Sequence, residues 1–572
     1  MERNLLCLTE REFDLLVIGG GIYGACIAWE ATLRGLSVAL VEKNDFCSAT
    51  SANSLKTIHG GFRYLQNADI KRMRESIVER RTLMHIAPHL IHPLKVLIPT
   101  YGHGLRGREA FTLAVVLNEL ISLDRNRLND PEKRIPAGKT ISRAECLQRL
   151  PDLPAEGVTG GTVFYDAQVY NSERLVLAFI QSASQRGAQV SNYTEVTGFL
   201  VKHDRVIGAQ VADRLDGDIF DVRARLVINA SGPWINQVLA CLDGGRVHLP
   251  TRLSKAINLV ARPLFRDLAA GIRGENGYLD GQPLDESNQA YLFVTPWRER
   301  SIIGTGYTFY DKPVDEFTIE EQDIGFLLGQ VNRAYPAATL QRDEITFVHG
   351  GMLPVADKPG KNAAALLKKH YTIVDHHRDG YPGLISVEGV KYTTARDVAV
   401  KVVDRAISGM GHQTPPSTSA EIRLVGGEIE RFEEFLQRAL DEQPCGLGSQ
   451  AVRNLVYNYG STFRHVLGYF DRISGAGGES PGSESPGGVS PDGELPLDLA
   501  LLKAAVRYSV KTEMARRLGD VVFRRTELGS AGDPGTRQLD FAARVMGQAL
   551  GWNQDRTRQE IESVRQVYLL AG

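Results

Sequence analysis

The stretch Phe13–Glu42, FDLLVIGGGIYGACIAWEATLRGLSVALVE, decides the fold. Phe13–Ile18 is an apolar run of strand length that enters Gly19-Gly20-Gly21-Ile22-Tyr23-Gly24 directly. A helical pattern covers Ala25–Arg34 and stops at Gly35; Leu36–Val41 is a second apolar strand, closed by Glu42. Strand, helix and strand within about 30 residues form a βαβ unit. In Gly19-x-Gly21-x-x-Gly24 the first glycine allows a sharp turn. The second admits a pyrophosphate with no Cβ in the way, and the third lets helix and sheet pack closely. The helix N-terminus offers N–H groups and partial positive charge to the phosphates. Glu42 lies 23 residues after Gly19, where a carboxylate accepts ribose hydroxyls and repels a 2′-phosphate. The unit predicts an α/β domain holding a dinucleotide, either FAD or NAD.

Around this unit the chain runs to 572 residues, enough for two to four domains. Lys plus Arg is 66 and Asp plus Glu is 68, a net charge of −2. That balance gives no sign of a long-range nucleic-acid footprint. Cys7, Cys26, Cys47, Cys146, Cys241 and Cys445 are scattered, with no C-x-x-C pair. This reads as a reduced compartment with no metal site. The apolar patch Leu5–Leu8 is no signal-peptide core. The longest apolar stretch after the glycine motif, Ala110–Leu123, has fourteen residues, short of the ~20 that cross a bilayer. It reads as a buried helix; its basic flanks, Arg106, Arg108, Arg125 and Arg127, leave an interfacial helix as the alternative.

Further strands are expected at Asp221–Asn229, Tyr291–Thr295, Ser301–Gly304 and Leu384–Val387. Helices are expected at Ala68–His85, Ser172–Arg186 and Glu320–Arg333, the last with Thr318 as its cap. From about Ala395 the pattern is almost wholly helical, interrupted by the Gly/Ser/Pro-rich Ser474–Pro496, which reads as a disordered loop.

Leu226–Trp234 (LVINASGPW) is an apolar strand that breaks into small residues, which lets the chain pass close to a dinucleotide at the sheet's carboxyl edge. No second G-x-G-x-x-G follows a strand, which argues against separate FAD and NAD domains. Taken in order, the motifs resemble those of FAD-dependent (respiratory) glycerol-3-phosphate dehydrogenases, within the D-amino-acid-oxidase-like flavoproteins. The segments that carry the resemblance are DLLVIGGGIYGACIA (14–28), CSATSANSLKTIHGGFRYLQ (47–66), LVINASGPW (226–234), TPWRERSIIGTG (295–306), GLISVEGVKYTTAR (383–396) and VRYSVKTEMARRLGDVVFRRTELG (506–529).

The resemblance implies an α/β fold in three parts: a Rossmann-like FAD-binding domain, an antiparallel-sheet substrate domain and an α-helical C-terminal domain. Residues 1–410 form the oxidoreductase region, with FAD-binding segments around 13–66, 160–235 and 346–405 and substrate-domain segments around 67–159 and 236–345. Residues 411–572 form the helical domain, with the loop at 474–496. FAD is the implied cofactor. Its implied cradle is Gly19, Gly21, Gly24, Glu42, Thr50, Ser51, Ser54, Ala230, Gly232, Trp234, Gly389, Thr393 and Thr394. The implied reaction oxidises C2 of sn-glycerol 3-phosphate to dihydroxyacetone phosphate, with hydride to flavin N5 and electrons passed to a quinone. A cytoplasmic protein, peripheral on the inner face of the membrane, is implied too; homodimer formation stays open.

Such chemistry needs the C–H aimed at the flavin, an acceptor for the hydroxyl proton, and cations for a dianionic phosphate. Arg63 and Tyr64 suit the phosphate. His59 is either a proton relay or a packed histidine. Lys255 lies near substrate or flavin, or else is a solvated strand-end lysine, and Lys391 places positive charge beside the reduced flavin or the substrate. Three positions depart from the family. Leu353 stands where a substrate-binding arginine is expected, Asn258 where a histidine is expected, and Gly304-Thr305-Gly306-Tyr307 loses an acid. Arg298, Arg300, His349 or Lys358 would have to compensate. Otherwise the substrate is another polyol phosphate, a hydroxy acid or an amine.

Overall fold

The computed structural model describes residues 1–67, 69–104, 107–243, 245–273, 278–279, 282–283, 291–355, 367–411, 414–470 and 495–569. Phe13–Ile18 lies inside a sheet ordered Thr372–Asp375, Leu384–Glu388, Ile219–Asn229, Phe13–Ile18, Val38–Val41, Gln189–Ser191. Its neighbours pair in parallel except at the antiparallel Thr372–Asp375 edge. Parallel strands covered on both faces read as continuous apolar runs, which is why FDLLVI is buried almost throughout. Helix Ile22–Leu33 is also buried along most of its length. Ser172–Gln185 and Ala395–Met410 both pack against it, over the small side chains of Ala25, Ala28 and Ala31.

The second sheet is ordered Phe347–Val355, Arg252–Ala261, Arg300–Tyr310, Tyr291–Trp297, Ala269–Arg273, Ile91–Tyr101, Val158–Val169, Thr57–Ile58. Its pairs are antiparallel apart from Ala269–Arg273 with Ile91–Tyr101. Thr57–Ile58, most of Val158–Val169 and Phe347–Val355 fall within the expected FAD-binding segments, yet their ladders join them to the antiparallel sheet. An apolar run shows that a strand is buried but not which distant strand it pairs with.

In Arg252–Ala261 alternate residues face opposite sides. Ile257 packs with Ile324 and Leu327 of the helix Glu321–Ala334, while Ala256 and Asn258 face a cavity between the two sheets. That helix starts after Glu320, whose N–H the Asp323 carboxylate accepts at 2.8 Å, rather than after Thr318.

Helices dominate after Ala395, among them Phe432–Glu442, Ser449–Tyr459, Leu497–Thr512, Thr536–Leu550 and Gln554–Leu569. The loop read at Ser474–Pro496 lies, as far as residue 494, outside the described residues. The helical core joins the antiparallel sheet through Val260, Trp297, Ile302 and Phe347. Buried charges tie it to the glycine-motif half. Asp45 accepts from Arg525 at 2.6 and 2.7 Å and from Arg524 at 2.5 Å. Burial opposes ionisation of Asp45, but the two arginines outweigh it and hold the carboxyl at about 2. Removing one member of a buried pair typically costs about 3–5 kcal/mol. Asp45→Ala is therefore expected to lower thermal stability by that order at neutral pH. In the native chain this contribution is present above the ordinary carboxylate range and lost as pH falls through about 2. Denaturation curves of both proteins at several pH values check it.

Arg108–Ile121 is a helix, but Val115 is its only buried residue. Leu113 is 61%, Val116 51%, Leu117 39% and Leu120 60% exposed, and Leu123 beyond it 79%. These helical positions form one stripe at i, i+3, i+4, i+7 spacing, turned outward. The helix packs instead on Lys139–Ser142 and Val158–Val169. The buried-helix reading is therefore corrected to an exposed amphipathic helix. Among the described residues no helix is long and apolar enough to cross a membrane.

Candidate active site

A cavity of about 650 Å³ opens between the sheets, starting at the glycine turn. Gly19 has φ +108°, and a Cβ there would sit 2.6 Å from the Ala230 carbonyl oxygen. At Gly24 a Cβ would come within 1.8 Å of the Gly19 carbonyl oxygen. Gly24 thus packs beneath the turn and does not line the cavity. Gly21 and Gly232 do line it. A Cβ at Gly21 would meet only Ser51 Oγ, at 3.2 Å, and one at Gly232 would meet nothing within 4 Å. Side chains at these two positions would fill space that the glycines leave open.

Glu42 closes the second strand as expected and lines the cavity. Its Oε2 accepts the Gly20 N–H at 2.7 Å and its Oε1 the Asn44 N–H at 2.8 Å. Each carboxylate oxygen keeps a further lone pair for a ribose hydroxyl. Burial pushes the Glu42 carboxyl up, against these two hydrogen bonds. Ser51 Oγ accepts the Ile22 N–H at 3.0 Å, at the start of the helix. Thr50 ties this wall to the other sheet: its hydroxyl donates to Met352 O and accepts from Met352 N–H, both at 3.1 Å. Ser54, Ala230, Gly389 and Thr393 line the same space, as does Trp234, whose indole N–H donates to Asp315 at 2.7 Å. Thr394 does not line the cavity. It occupies the N-cap position of Ala395–Met410 and is buried, because the chain turns into that helix there. Open glycines beside a helix N-terminus, a carboxylate for ribose, and a long slot running toward the second sheet fit a dinucleotide such as FAD.

The Gly389–Thr393 loop and His59 line the same cavity. Tyr23, which lines it, pins the Gly389–Thr393 loop. Its hydroxyl donates to Lys391 O at 2.9 Å and accepts Lys391 N–H at 3.3 Å. A Cβ at Gly389 would lie 2.1 Å from the Tyr23 ring. Burial pushes the Tyr23 phenol up to about 12, so it stays neutral. Lys391 Nζ donates to Ser76 Oγ at 2.7 Å and lies 4.7 Å from the Tyr64 ring centroid. The Arg72 guanidinium stands 4.3 Å from the same ring. Burial, aided by repulsion from Arg72, lowers the Lys391 ammonium to about 7. His59 lines the cavity and approaches Asp166 Oδ2 through Nδ1 at 3.1 Å.

The remaining expected site residues divide. Arg63 has its backbone in the 3-10 turn Phe62–Asn67, and its side chain lies outside the described residues. Lys255 is corrected: it faces away from the cavity, and its Nζ pairs with Asp323 at 2.7 Å. Its strand turns that face, shared with Ile257, toward the Glu321–Ala334 helix. Leu353, Asn258, Thr305 and Tyr307 line the cavity, with Thr305 Oγ1 donating to Asn258 Oδ1 at 2.8 Å. Arg298 is engaged elsewhere, with Ser530 Oγ at 2.9 Å and Glu527 at 3.4 Å. His349 is buried against Asn53, and neither it nor Arg298 or Arg300 lines the cavity. Lys358 lies outside the described residues. Among the described residues the basic side chains of the lining are Lys43, Lys56, His59 and Lys391. Lys43 and Lys56 are each paired at 2.8 and 2.7 Å, with Asp315 and Glu173.

The family model for FAD dependent oxidoreductases matches residues 14–392. The model for the C-terminal domain of alpha-glycerophosphate oxidase matches residues 417–557. Glycerol-3-phosphate dehydrogenase of Synechocystis sp. is 31% identical over 570 residues, covering 98% of this chain and 97% of the relative. The mitochondrial glycerol-3-phosphate dehydrogenase of Homo sapiens is 31% identical over 582 residues, covering 99% of this chain and 74% of its own. Among solved structures, the Bacillus halodurans glycerol-3-phosphate dehydrogenase complexed with FAD is 26% identical, with a TM-score of 0.73, covering 99% of this chain and 96% of that one.

Proposed function

The chain belongs to the FAD-dependent oxidoreductase family, and from that premise we infer that it oxidises the secondary alcohol of sn-glycerol 3-phosphate to the ketone of dihydroxyacetone phosphate. The single observation that carries this reading within the site is that His59 and Lys391 both line the cavity that opens at the glycine turn. Bound FAD supplies the two-electron oxidising power. Gly19, Gly21, Glu42, Thr50, Ser51, Ser54, Ala230, Gly232, Trp234, Gly389 and Thr393 hold it, with Gly24 and Thr394 shaping the turns behind them. His59 accepts the hydroxyl proton. Lys391, with Tyr64 and Arg63, holds the anionic end of the substrate. We assign residues 1–410 to the oxidoreductase region and 411–572 to the helical domain.

Anaerobic addition of glycerol 3-phosphate to the purified flavoprotein tests the reading. Bleaching by glycerol 3-phosphate, but not by glycerol or lactate, is expected. The second reading keeps FAD and changes the substrate. It is favoured by the uncharged wall of Leu353 and Asn258, where no arginine of the described residues stands in for the missing one. Bleaching only by a different polyol phosphate, hydroxy acid or amine would select it.

A quinone-type acceptor reached at a membrane surface is the proposed electron outlet. The outward stripe Leu113, Val116, Leu117 and Leu120, with the exposed Arg108 and Arg127 near its ends, supports a peripheral contact. Leu113→Glu with Leu120→Glu is expected to abolish co-sedimentation with anionic vesicles while FAD content and turnover with a soluble acceptor persist. Unchanged co-sedimentation would remove this helix from the contact.

A further inference from the structure

Behind His59, outside the cavity wall, Asp166 lies on the Val158–Val169 strand with 4% exposure. Three polar groups converge on its carboxylate. His59 Nδ1 meets Oδ2 at 3.1 Å, the Gly60 N–H reaches Oδ1 at 2.6 Å, and Arg80 Nη1 reaches Oδ1 at 3.1 Å. Arg80 is itself fixed by Tyr165 O at 2.6 Å, and Gly60 is the residue that admits it, since a Cβ there would lie 2.0 Å from Arg80 Nη1. The carboxylate therefore has little freedom to turn. Burial resists its charge, but His59, Arg80 and Gly60 outweigh burial and hold the Asp166 carboxyl below its ordinary value. A ring nitrogen facing an ionised carboxylate carries the proton, and the other nitrogen is left with its lone pair. The His59 side chain is 43% exposed on the cavity side, and its backbone N–H is held by Thr393 Oγ1 at 3.3 Å.

We propose that Asp166 is a positioning residue that holds His59 as the Nδ1–H tautomer, so that Nε2 is the atom that takes the substrate's hydroxyl proton. In that step the O–H bond breaks, an Nε2–H bond forms, and Asp166 stays ionised to offset the imidazolium. The hydride leaves in the oxidation already assigned to FAD. The catalytic half of the proposal rests on the reading of His59 as proton acceptor; the tautomer half does not.

Two measurements on the holoenzyme test it. The first is ¹⁵N NMR of histidine-labelled protein, with the His59 signals identified by their loss in His59→Asn. A protonated Nδ1 and an unprotonated Nε2 in the neutral ring are expected, and the reverse pattern overturns the proposal. The second is Asp166→Asn, whose amide can donate to Nδ1 and impose the wrong tautomer. With FAD content normal, kcat is expected to fall on the order of 10²-fold, with KM little changed. Adding His59→Asn should cost nothing more, because both changes act through one atom. Normal kcat in FAD-replete Asp166→Asn overturns the proposal. If that variant loses FAD, the tautomer of the native holoenzyme decides. Full turnover in His59→Asn despite the expected tautomer overturns the catalytic half through the reading beneath it.

Discussion

Gly24→Ala is expected to yield protein that carries little or no flavin. The added Cβ would fall 1.8 Å from the Gly19 carbonyl oxygen, far inside any tolerable contact. The obstacle is backbone, so no rotamer change relieves it. Either the helix Ile22–Leu33 lifts from the Phe13–Ile18 strand or the turn moves toward the cavity. Overpacking of this kind typically costs about 1–3 kcal/mol even where side chains can yield. Gly19 is held on its other side by Ala230, whose oxygen lies 2.6 Å from where a Cβ on Gly19 would stand, so the strain passes straight into the phosphate cradle. Gly35→Ala is the control. Gly35 has φ +78°, and a Cβ there meets nothing within 4 Å. It should lose roughly 1 kcal/mol of stability from the left-handed conformation and keep its FAD. Flavin absorbance per chain in the two variants separates a steric effect at the cradle from a general effect of lost glycine. Equal flavin content would remove Gly24 from the cradle.

Lys391→Met is expected to retain FAD and to lose about 10- to 100-fold in kcat/KM for glycerol 3-phosphate, the range of one charge-assisted hydrogen bond. The native ammonium is charged below about 7 and discharges above it, because burial and then Arg72 disfavour the charge. KM for the anionic substrate should therefore rise as pH climbs through that value, and this limb should be missing from the variant. Stability moves the other way. Between about 7 and 10 the unfolded chain binds a proton at Lys391 that the folded chain has released, so native stability rises with pH across that window. Methionine removes this dependence along with the cost of burying the charge. The variant should thus be no less stable than the native chain at acid pH, and its lost turnover cannot be put down to unfolding. Kinetics across pH alongside thermal denaturation check both halves. An unaltered pH profile in the variant would take Lys391 out of the site.

Phe13–Glu42 could be read because its consecutive strands lie side by side and are apolar throughout. The buried ends of Ile219–Asn229 and Leu384–Glu388 could be read because they too are apolar. Ile91–Tyr101 and Val158–Val169 could not. His92, Lys95 and Asp166 interrupt their apolar character, and each strand pairs with the other across a long stretch of chain. The site shows the same division. The glycine turn and Glu42 are local in sequence, and the structure places them together. Tyr23 reaches a loop 368 residues away, and His59 meets Asp166 across 107; no local pattern marks such contacts. Lys255 has the right residue type on the wrong face: alternate residues of a strand point to opposite sides, and Ala256 and Asn258 take the cavity side. The Arg108–Ile121 helix shows that apolar composition alone does not say which way a helix faces.

The chemistry depends on a flavin dinucleotide seated between the glycine turn and the Lys391 loop. The most direct measurement is the visible spectrum of the purified 572-residue chain, with the cofactor released by denaturation and identified by mass. Yellow protein that releases stoichiometric FAD is the expected result. A colourless chain that takes up no flavin on reconstitution would contradict it.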